Sequence, residues 1–270
     1  MNKIYILFYA IMSISSCDGQ NQISKMTTHQ SRLSCVKIIS KQGNSSGTGF
    51  FIGPDKIATC FHVVSQIIVD SAKNVQFNIY PDLEAITEDN DTIGLACISI
   101  PTKASPEPLF QDFAILKTNS PIDKKSILRL SNDTDLDVGD NIVFSGFPLG
   151  TPTMVTHYGT ISGVTKDKSI ICIQAATNKG NSGGALVDKD GQVIGIVSMR
   201  EGGISISLQN YLNQITASEK YGGIQLMGID PLQAAKETIQ ILDTYISTGI
   251  GYARSSRFLQ EYINRHRISL

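Results

Sequence analysis

Short apolar runs alternate with turn-forming residues over most of the chain, from residue 31 to residue 200. The runs are rich in Val, Ile, Phe and Thr, and the turns between them are rich in Gly, Pro, Asn and Asp. Short strands at even spacing, separated by turn signals, are typical of an all-β barrel or sandwich. We therefore predict an all-β fold for this part of the chain.

The pattern changes between residues 202 and 245, where polar stretches surround a single helical periodicity. Asp230 is suited to cap this helix at its N-terminus, and Pro231 is suited to its first position. Residues 248–254 return to the strand pattern, and residues 255–267 predict a terminal helix. We expect a helix-containing insertion at 202–245 and a C-terminal helix after the last strand.

The N-terminus combines a basic start with an apolar run in residues 1–16. A membrane-spanning helix needs about twenty residues, so this shorter run favours a cleaved export signal. The run ends in a sequence that resembles the bacterial lipobox: Ile14-Ser15-Ser16-Cys17. The resemblance implies lipidation of Cys17, membrane association and a location in the cell envelope. The alternative is an ordinary secretory signal that leaves Cys17 free. Residues 17–30 are predicted to be a polar tether.

The chain of 270 residues has a formal net charge of −1, which gives no electrostatic reason to expect nucleic-acid binding. An exported protein can form disulfides, and four cysteines remain besides Cys17: Cys35, Cys60, Cys97 and Cys172. Four cysteines allow three pairings, and each of these lies in an apolar context that also suits a buried free thiol. The pairing is therefore left open, and neither a cofactor nor a metal is predicted.

The segment of residues 178–186 has the properties of a nucleophile loop. Ser182 lies between Gly180 and Gly183, and only glycine adopts positive φ without steric cost, so a tight turn can expose the hydroxyl. If the N–H groups of Gly180 and Ser182 point at one spot, they form an oxyanion hole. The alternative is a Gly/Ser-rich turn of a β-protein. A base and an orienting carboxylate elsewhere in the chain favour the catalytic interpretation.

Two further residues fit such a site. His62 follows an apolar strand and enters a short helical turn, where the scaffold can hold its ring towards a cleft. Asp112 opens another apolar strand, which is an unfavourable place for a charge unless a partner pairs with it. An imidazole whose Nδ1–H is accepted by the buried carboxylate is such a partner.

Together these segments resemble a trypsin-like serine protease, closest to the bacterial HtrA/Deg branch. The similarity extends from about residue 31 to residue 199 and resumes at residue 249. The segments that carry it are Gly47-Thr48-Gly49-Phe50, Thr59-Cys60-Phe61-His62-Val63, Asp112-Phe113-Ala114-Ile115-Leu116-Lys117, Val138-Gly139-Asp140, Gly146-Phe147-Pro148-Leu149-Gly150, Tyr158-Gly159-Thr160-Ile161-Ser162, residues 173–184 and Gly249-Ile250-Gly251-Tyr252-Ala253. The resemblance implies two antiparallel six-stranded β-barrels of the chymotrypsin-like fold. They would occupy about 31–120 and 121–254 of a protease domain at 31–270.

The resemblance also implies a serine endopeptidase that acts on polypeptides. Ser182 would be the nucleophile, His62 the general base and then acid, and Asp112 the residue that orients His62. Gly180 and Ser182 would form the oxyanion hole. The HtrA branch usually carries a C-terminal PDZ domain. No segment here corresponds to one, so a protease domain without a PDZ domain is expected.

Substrate-binding residues follow from the same resemblance. The base of the specificity pocket would lie near Ala176 and Thr177, with Ile250 on the opposite wall. Neither Ala176 nor Ile250 carries a charge, so small or aliphatic P1 residues are expected. The substrate backbone would pair with three residues at the end of the strand that comes before the insertion: Ser198, Met199 and Arg200. The insertion lies between the two strands that wall this pocket.

Two other functions remain open. A protease fold without activity could serve as a binding module of the envelope, although His62, Asp112 and Ser182 are all present. The residues around Ser182 also fit the Gly-x-Ser-x-Gly nucleophile elbow of α/β-hydrolases, with Asp243 and His266 as partners. An elbow requires a helix after the serine, whereas this serine precedes a predicted β-hairpin.

Overall fold

The computed structural model describes residues 22–69, 75–120, 122, 125–131, 135–200, 206–218, 222, 225–245 and 249–270. The strands of the first half are β1 (Cys35–Ser40), β2 (Ser45–Phe51), β3 (Lys56–Thr59), β4 (Ser65–Val69), β5 (Val75–Ile79), β6 (Glu84–Ile86), β7 (Thr92–Cys97) and β8 (Ala114–Thr118). Six of them close into an antiparallel barrel in the order β1-β2-β3-β8-β7-β6. β4 and β5 form a separate two-stranded ribbon.

A second barrel follows. Its strands are β9 (Arg129–Leu130), β10 (Asn141–Gly146), β11 (Val155–Val164), β12 (Ile170–Gln174), β13 (Ala185–Val187), β14 (Gln192–Arg200) and β15 (Ile250–Ser255). They run in the order β13-β10-β11-β12-β15-β14, and the pairing of β13 with β14 closes the ring, while β9 adds a short parallel pair to β14. The predicted pair of antiparallel six-stranded barrels is therefore confirmed.

Each barrel is filled by aliphatic and aromatic side chains. Gly49 in β2 permits close packing in the first barrel, because a Cβ there would lie 2.5 Å from Ile38 Cδ1 and 2.8 Å from Ile57 Cγ2. The second core is built from Ile142, Phe144, Ile161, Ile171 and Ile173. Burying each such side chain contributes about 1.5–3 kcal/mol relative to leaving it exposed, which makes the barrels rigid supports for the loops between them.

The helices are α1 (Lys25–Ser34), α2 (Phe61–Val64), α3 (Glu107–Phe110), α4 (Ile206–Ser218), α5 (Pro231–Tyr245) and α6 (Ser256–His266). Within the described part of the chain, no helix has both the length and the hydropathy needed to cross a bilayer.

Helix α1 corrects the prediction for the N-terminal segment. Its buried residues are small and polar: Thr27, Ser31 and Ser34. Their face packs on the second barrel, where the hydroxyls of Ser31 and Ser145 are 3.0 Å apart. Because this face carries no apolar period, the sequence pattern did not reveal the helix. The predicted tether at 17–30 is wrong from Lys25 onward, and the first strand begins at Cys35 rather than at residue 31.

The insertion contains two helices where the sequence predicted one. The start of α5 is as predicted, since Asp230 Oδ1 accepts hydrogen bonds from the N–H groups of Leu232 at 2.9 Å and Gln233 at 3.2 Å. Helix α4 was missed, and it packs against α5. Ile215 of α4 and Ile239 of α5 are the buried aliphatic residues of this pair.

The C-terminal helix α6 packs beside the segment that leads into β8. Tyr262 meets the ring of Phe113 edge-on, with centroids 5.3 Å apart. His266 Nε2 lies 3.1 Å from Ser105 Oγ, and Arg265 forms an ion pair with Glu107. Three contacts thus attach α6 to residues 105–113.

Candidate active site

The first barrel positions His62 directly after one of its strands. α2 begins directly after β3, with Cys60 as its N-cap residue, so the strand fixes where the imidazole starts. The side chain of His62 is 45% exposed, and its Nδ1 lies 2.9 Å from Asp112 Oδ2 and 3.0 Å from Oδ1. The backbone N–H of His62 donates to Asp112 Oδ1 at 3.1 Å. One carboxylate therefore holds both the ring and the backbone of this residue.

Asp112 owes its position to the end of α3. Its φ is +53°, and the next N–H, that of Phe113, donates to the Pro108 carbonyl at 3.1 Å. A left-handed residue with such a backward hydrogen bond is a common way to end a helix. A non-glycine residue in this region stores strain of about 1–3 kcal/mol, which the surrounding contacts must sustain.

The carboxylate of Asp112 is stabilised in its charged form. Burial alone would raise its pKa, but hydrogen bonds and charge attraction from His62 and a hydrogen bond from the Ser198 hydroxyl lower the pKa below the ordinary aspartate value. Ser198 was predicted only as a backbone partner of the substrate. Its hydroxyl contact with Asp112 was missed, because it depends on the register of β14 and a bulge between Val197 and Met199.

Ser182 lies in the loop between β12 and β13, on the second barrel. Its Oγ donates to the Ser198 carbonyl at 3.0 Å. Within the described residues, no hydrogen bond joins Ser182 Oγ to His62. Rotation about the Cα–Cβ bond can redirect this hydroxyl.

The loop around Ser182 is packed closely against neighbouring backbone. Gly180 has φ +96°, and a Cβ there would lie 2.3 Å from the Phe147 carbonyl oxygen. The Thr48 hydroxyl donates to the Gly180 carbonyl at 2.6 Å, a contact that the sequence did not predict. Within the described part of the chain, the N–H groups of Gly180 and Ser182 have no hydrogen-bond acceptor. Both donors are therefore available to a bound group.

The predicted pocket residues lie on neighbouring strand ends. Ala176 is exposed and Thr177 is buried, just after β12. Ile250 is 39% exposed and pairs with Gln174 across β12 and β15. A Cβ on Gly251 would lie 2.4 Å from Thr177 Cγ2, so β15 passes close to this turn.

Three predicted site residues lie partly or wholly outside the described part of the chain. They are Cys17, for which nothing is described, and Met199 and Arg200, whose backbone belongs to β14 and whose side chains lie outside it.

The alternative partners of Ser182 are not brought together. His266 Nε2 contacts Ser105 Oγ at 3.1 Å, and its ring stacks on Tyr262 with centroids 4.3 Å apart. Asp243 of α5 forms an ion pair with Lys179. A strand, β13, follows the Ser182 loop where a nucleophile elbow requires a helix.

The chain belongs to the trypsin-like peptidase family, because the trypsin-like peptidase domain matches residues 47–196, more than half of its length. Serine protease HTR4 of Rattus norvegicus is 33% identical over 207 residues, which are 70% of this chain and 37% of that protein. A probable periplasmic serine endoprotease, DegP-like, of Brucella suis is 41% identical over 91 residues, which are 32% of this chain and 18% of that protein. The chain therefore spans less than half the length of these relatives.

The Rv3671c protease, in its inactive form, is a solved structure with the same fold. It aligns with a TM-score of 0.55 at 17% identity, covering 90% of this chain and 93% of that chain. The likeness supports the two-barrel fold, and the family assignment depends on the sequence match.

Alanine substitutions at two glycines with similar φ distinguish the cost of steric crowding from the cost of backbone strain. At Gly183, with φ +92°, a Cβ would lie 2.0 Å from the Thr48 carbonyl oxygen, whereas at Gly139, with φ +99°, nothing lies within 4 Å. Gly139→Ala should lower the free energy of unfolding by about 1–3 kcal/mol through strain alone. Gly183→Ala should cost more than about 4 kcal/mol. Urea unfolding of both variants checks this, and equal losses would contradict the packing of the Ser182 loop against β2.

Proposed function

We propose that this protein is a serine endopeptidase in which His62, Asp112 and Ser182 form the catalytic triad. The observation that carries the proposal is the 2.9 Å contact between Asp112 Oδ2 and His62 Nδ1. Ser198 connects this pair to Ser182, because its hydroxyl donates to Asp112 and its carbonyl accepts the Ser182 hydroxyl at 3.0 Å. The two N–H groups next to this serine are the second requirement of acyl transfer, a site for the oxyanion.

The chemistry follows from these positions. When substrate binds, Ser182 Oγ leaves the Ser198 carbonyl and attacks the peptide carbonyl carbon, while its proton passes to His62 Nε2. The N–H groups of Gly180 and Ser182 bind the oxygen that gains the negative charge. His62 then protonates the leaving amine as the C–N bond breaks, and water hydrolyses the acyl-enzyme by the same steps in reverse.

Asp112 has an electrostatic role in these steps. It keeps the proton of neutral His62 on Nδ1, which leaves Nε2 free as the base, and it stabilises the imidazolium that forms. The Ser198 hydroxyl and the His62 backbone N–H bind the same carboxylate, so its oxygens are fixed in direction.

Alanine substitutions of His62, Ser182 and His266 test the triad directly. His62→Ala and Ser182→Ala should each lower kcat for peptide hydrolysis by on the order of 10⁴ to 10⁶. His266→Ala is the matched control and should retain most of the activity, because His266 contacts Ser105 and Tyr262 and not the cleft. Peptide cleavage and labelling by a fluorophosphonate probe are the measurements.

Each other outcome identifies one alternative. Activity lost in His266→Ala but kept in His62→Ala would require the hydrolase arrangement. Failure of the folded wild-type protein to label at Ser182 would require the inactive binding module.

We also propose an apolar specificity pocket between Ala176 and Ile250. Both side chains are uncharged, and Ile250 is part of a strand that passes close to Thr177. The insertion reaches the neighbouring loop through the ion pair of Asp243 with Lys179, the residue before Gly180. Such partly exposed pairs are worth at most about 1 kcal/mol, so this one orients the insertion more than it stabilises the fold.

Cleavage sites in an unfolded protein substrate test the pocket. Wild type should cleave after Val, Ala or Ile, because a charged P1 side chain would be desolvated without a counter-charge. Ile250→Ala removes one wall and should shift cleavage towards larger apolar P1 residues such as Leu and Phe. A dominant Lys or Arg at P1 would contradict the proposed pocket.

The proposed location is the cell envelope, with residues 1–16 as the export signal and a lipid on Cys17. The DegP-like relative is described as periplasmic, and the lipobox resemblance supplies the anchor. In detergent phase partitioning, wild type should enter the detergent phase and Cys17→Ala the aqueous phase. Wild type in the aqueous phase would contradict the anchor.

A further inference from the structure

A buried thiol lies behind the His62–Asp112 pair and has no part in the proposed mechanism. Cys60 is fully buried, and its Sγ lies 3.2 Å from the Val197 carbonyl oxygen. Burial and the negative charge of Asp112 raise the pKa of this thiol well above its ordinary value, so it carries its proton. A thiol beside a carboxylate and an imidazole combines three side chains that bind metal ions.

The three ligand atoms are close enough to share one ion. Cys60 Sγ, an imidazole nitrogen of His62 and a carboxylate oxygen of Asp112 lie within 4.8 Å of one another, and Nδ1 is the nitrogen that faces Asp112. Tetrahedral zinc has bonds of about 2.0 Å to nitrogen and oxygen and about 2.3 Å to sulfur, which places ligand atoms about 3.3–3.5 Å apart. To reach this spacing, the 2.9 Å contact between His62 and Asp112 opens slightly. The thiol, which lies within 4.8 Å of the other two ligand atoms, moves closer by about 1 Å at most.

We propose that Cys60, His62 and Asp112 bind a thiophilic divalent cation of the zinc class, and that this ion switches the enzyme off. Binding at these residues stands on geometry alone, and only the loss of activity rests on the proposed function. A thiolate and an imidazole favour zinc over magnesium and calcium, which prefer oxygen ligands. A solvent molecule completes the four-coordinate shell.

Charge and protons balance in the bound state. The Cys60 thiol releases its proton to solvent, and the proton on His62 Nδ1 is replaced by one on Nε2, so one proton is released for each ion bound. The thiolate and the Asp112 carboxylate then neutralise the two charges of the cation. His62, which is nearly half exposed, provides the entry route from the cleft.

The inhibition follows from the tautomer of His62. With the metal on Nδ1, the neutral ring carries its proton on Nε2, so this nitrogen cannot accept the proton of Ser182. The metal also occupies the Asp112 oxygen that stabilises the imidazolium. The ion therefore removes the general base without touching the serine.

A spectroscopic titration tests the site without relying on catalysis. Full-length Ser182→Ala protein is titrated with Cd²⁺, and the thiolate-to-cadmium absorption in the ultraviolet is recorded. A second substitution, Cys60→Ala or the nearly isosteric Cys60→Ser, should lower the cadmium affinity at least tenfold or abolish the band. Cys172→Ala is the matched control and should leave the titration unchanged, so contributions of the other cysteines cancel between variants.

An activity measurement complements it. Zn²⁺ should slow fluorophosphonate labelling of wild type, a chelator should restore it, and Cys60→Ser should require at least tenfold more zinc. Because the thiol releases one proton for each ion bound, the apparent affinity should rise with pH, by about tenfold per pH unit.

The outcomes are distinguishable. Equal cadmium titrations with and without Cys60, or no thiolate band in either protein, would overturn the site. Equal zinc inhibition of wild type and Cys60→Ser would overturn its role in inhibition. A Cys60-dependent band in a protein that never labels at Ser182 would instead support the metal site and overturn the proposed function.

Discussion

The contact of Thr48 with the Ser182 loop is the interaction on which the cleft depends. The Thr48 N–H donates to the Ser182 carbonyl at 2.8 Å, and its hydroxyl donates to the Gly180 carbonyl at 2.6 Å. Its own carbonyl accepts the Thr59 hydroxyl at 2.6 Å, just before the helix that carries His62. One residue of the first barrel thus joins the loop that carries the proposed nucleophile to the strand that positions the proposed base.

This junction explains how three residues with positive φ persist beside the proposed site. Gly180 and Gly183 have positive φ and approach neighbouring backbone more closely than a side chain would permit. Asp112 also has positive φ although it carries a side chain. Such conformations persist only where the surroundings over-determine them. Here the two barrels provide that constraint, since each supplies hydrogen bonds to the loops of the other.

The sequence was most informative where chemistry demands particular residue types. Three local signals predicted the candidate site: glycines around Ser182, a histidine after a strand, and a charged residue at the start of an apolar strand. The order of the matching segments along the chain then predicted the two-barrel fold. The sequence was least informative where structure depends on distant partners. The face of α1 is made of small polar residues, so it has no apolar period, and the Ser198 hydroxyl reaches Asp112 only because β14 has a bulge beside it. The turn of Ser182 towards the Ser198 carbonyl is likewise a tertiary feature.

The attachment of α6 has a consequence for the order in which the protein becomes competent. Tyr262, Arg265 and His266 support the segment that leads to Asp112, yet they follow both barrels in the chain. During synthesis the N-terminal part emerges and begins to fold first. The loop that carries Asp112 then lacks these three supports until the ribosome has made α6. A nascent chain that already contains His62, Asp112 and Ser182 is therefore still without the helix that supports the Asp112 carboxylate, and the proposed active site is completed only after translation of α6.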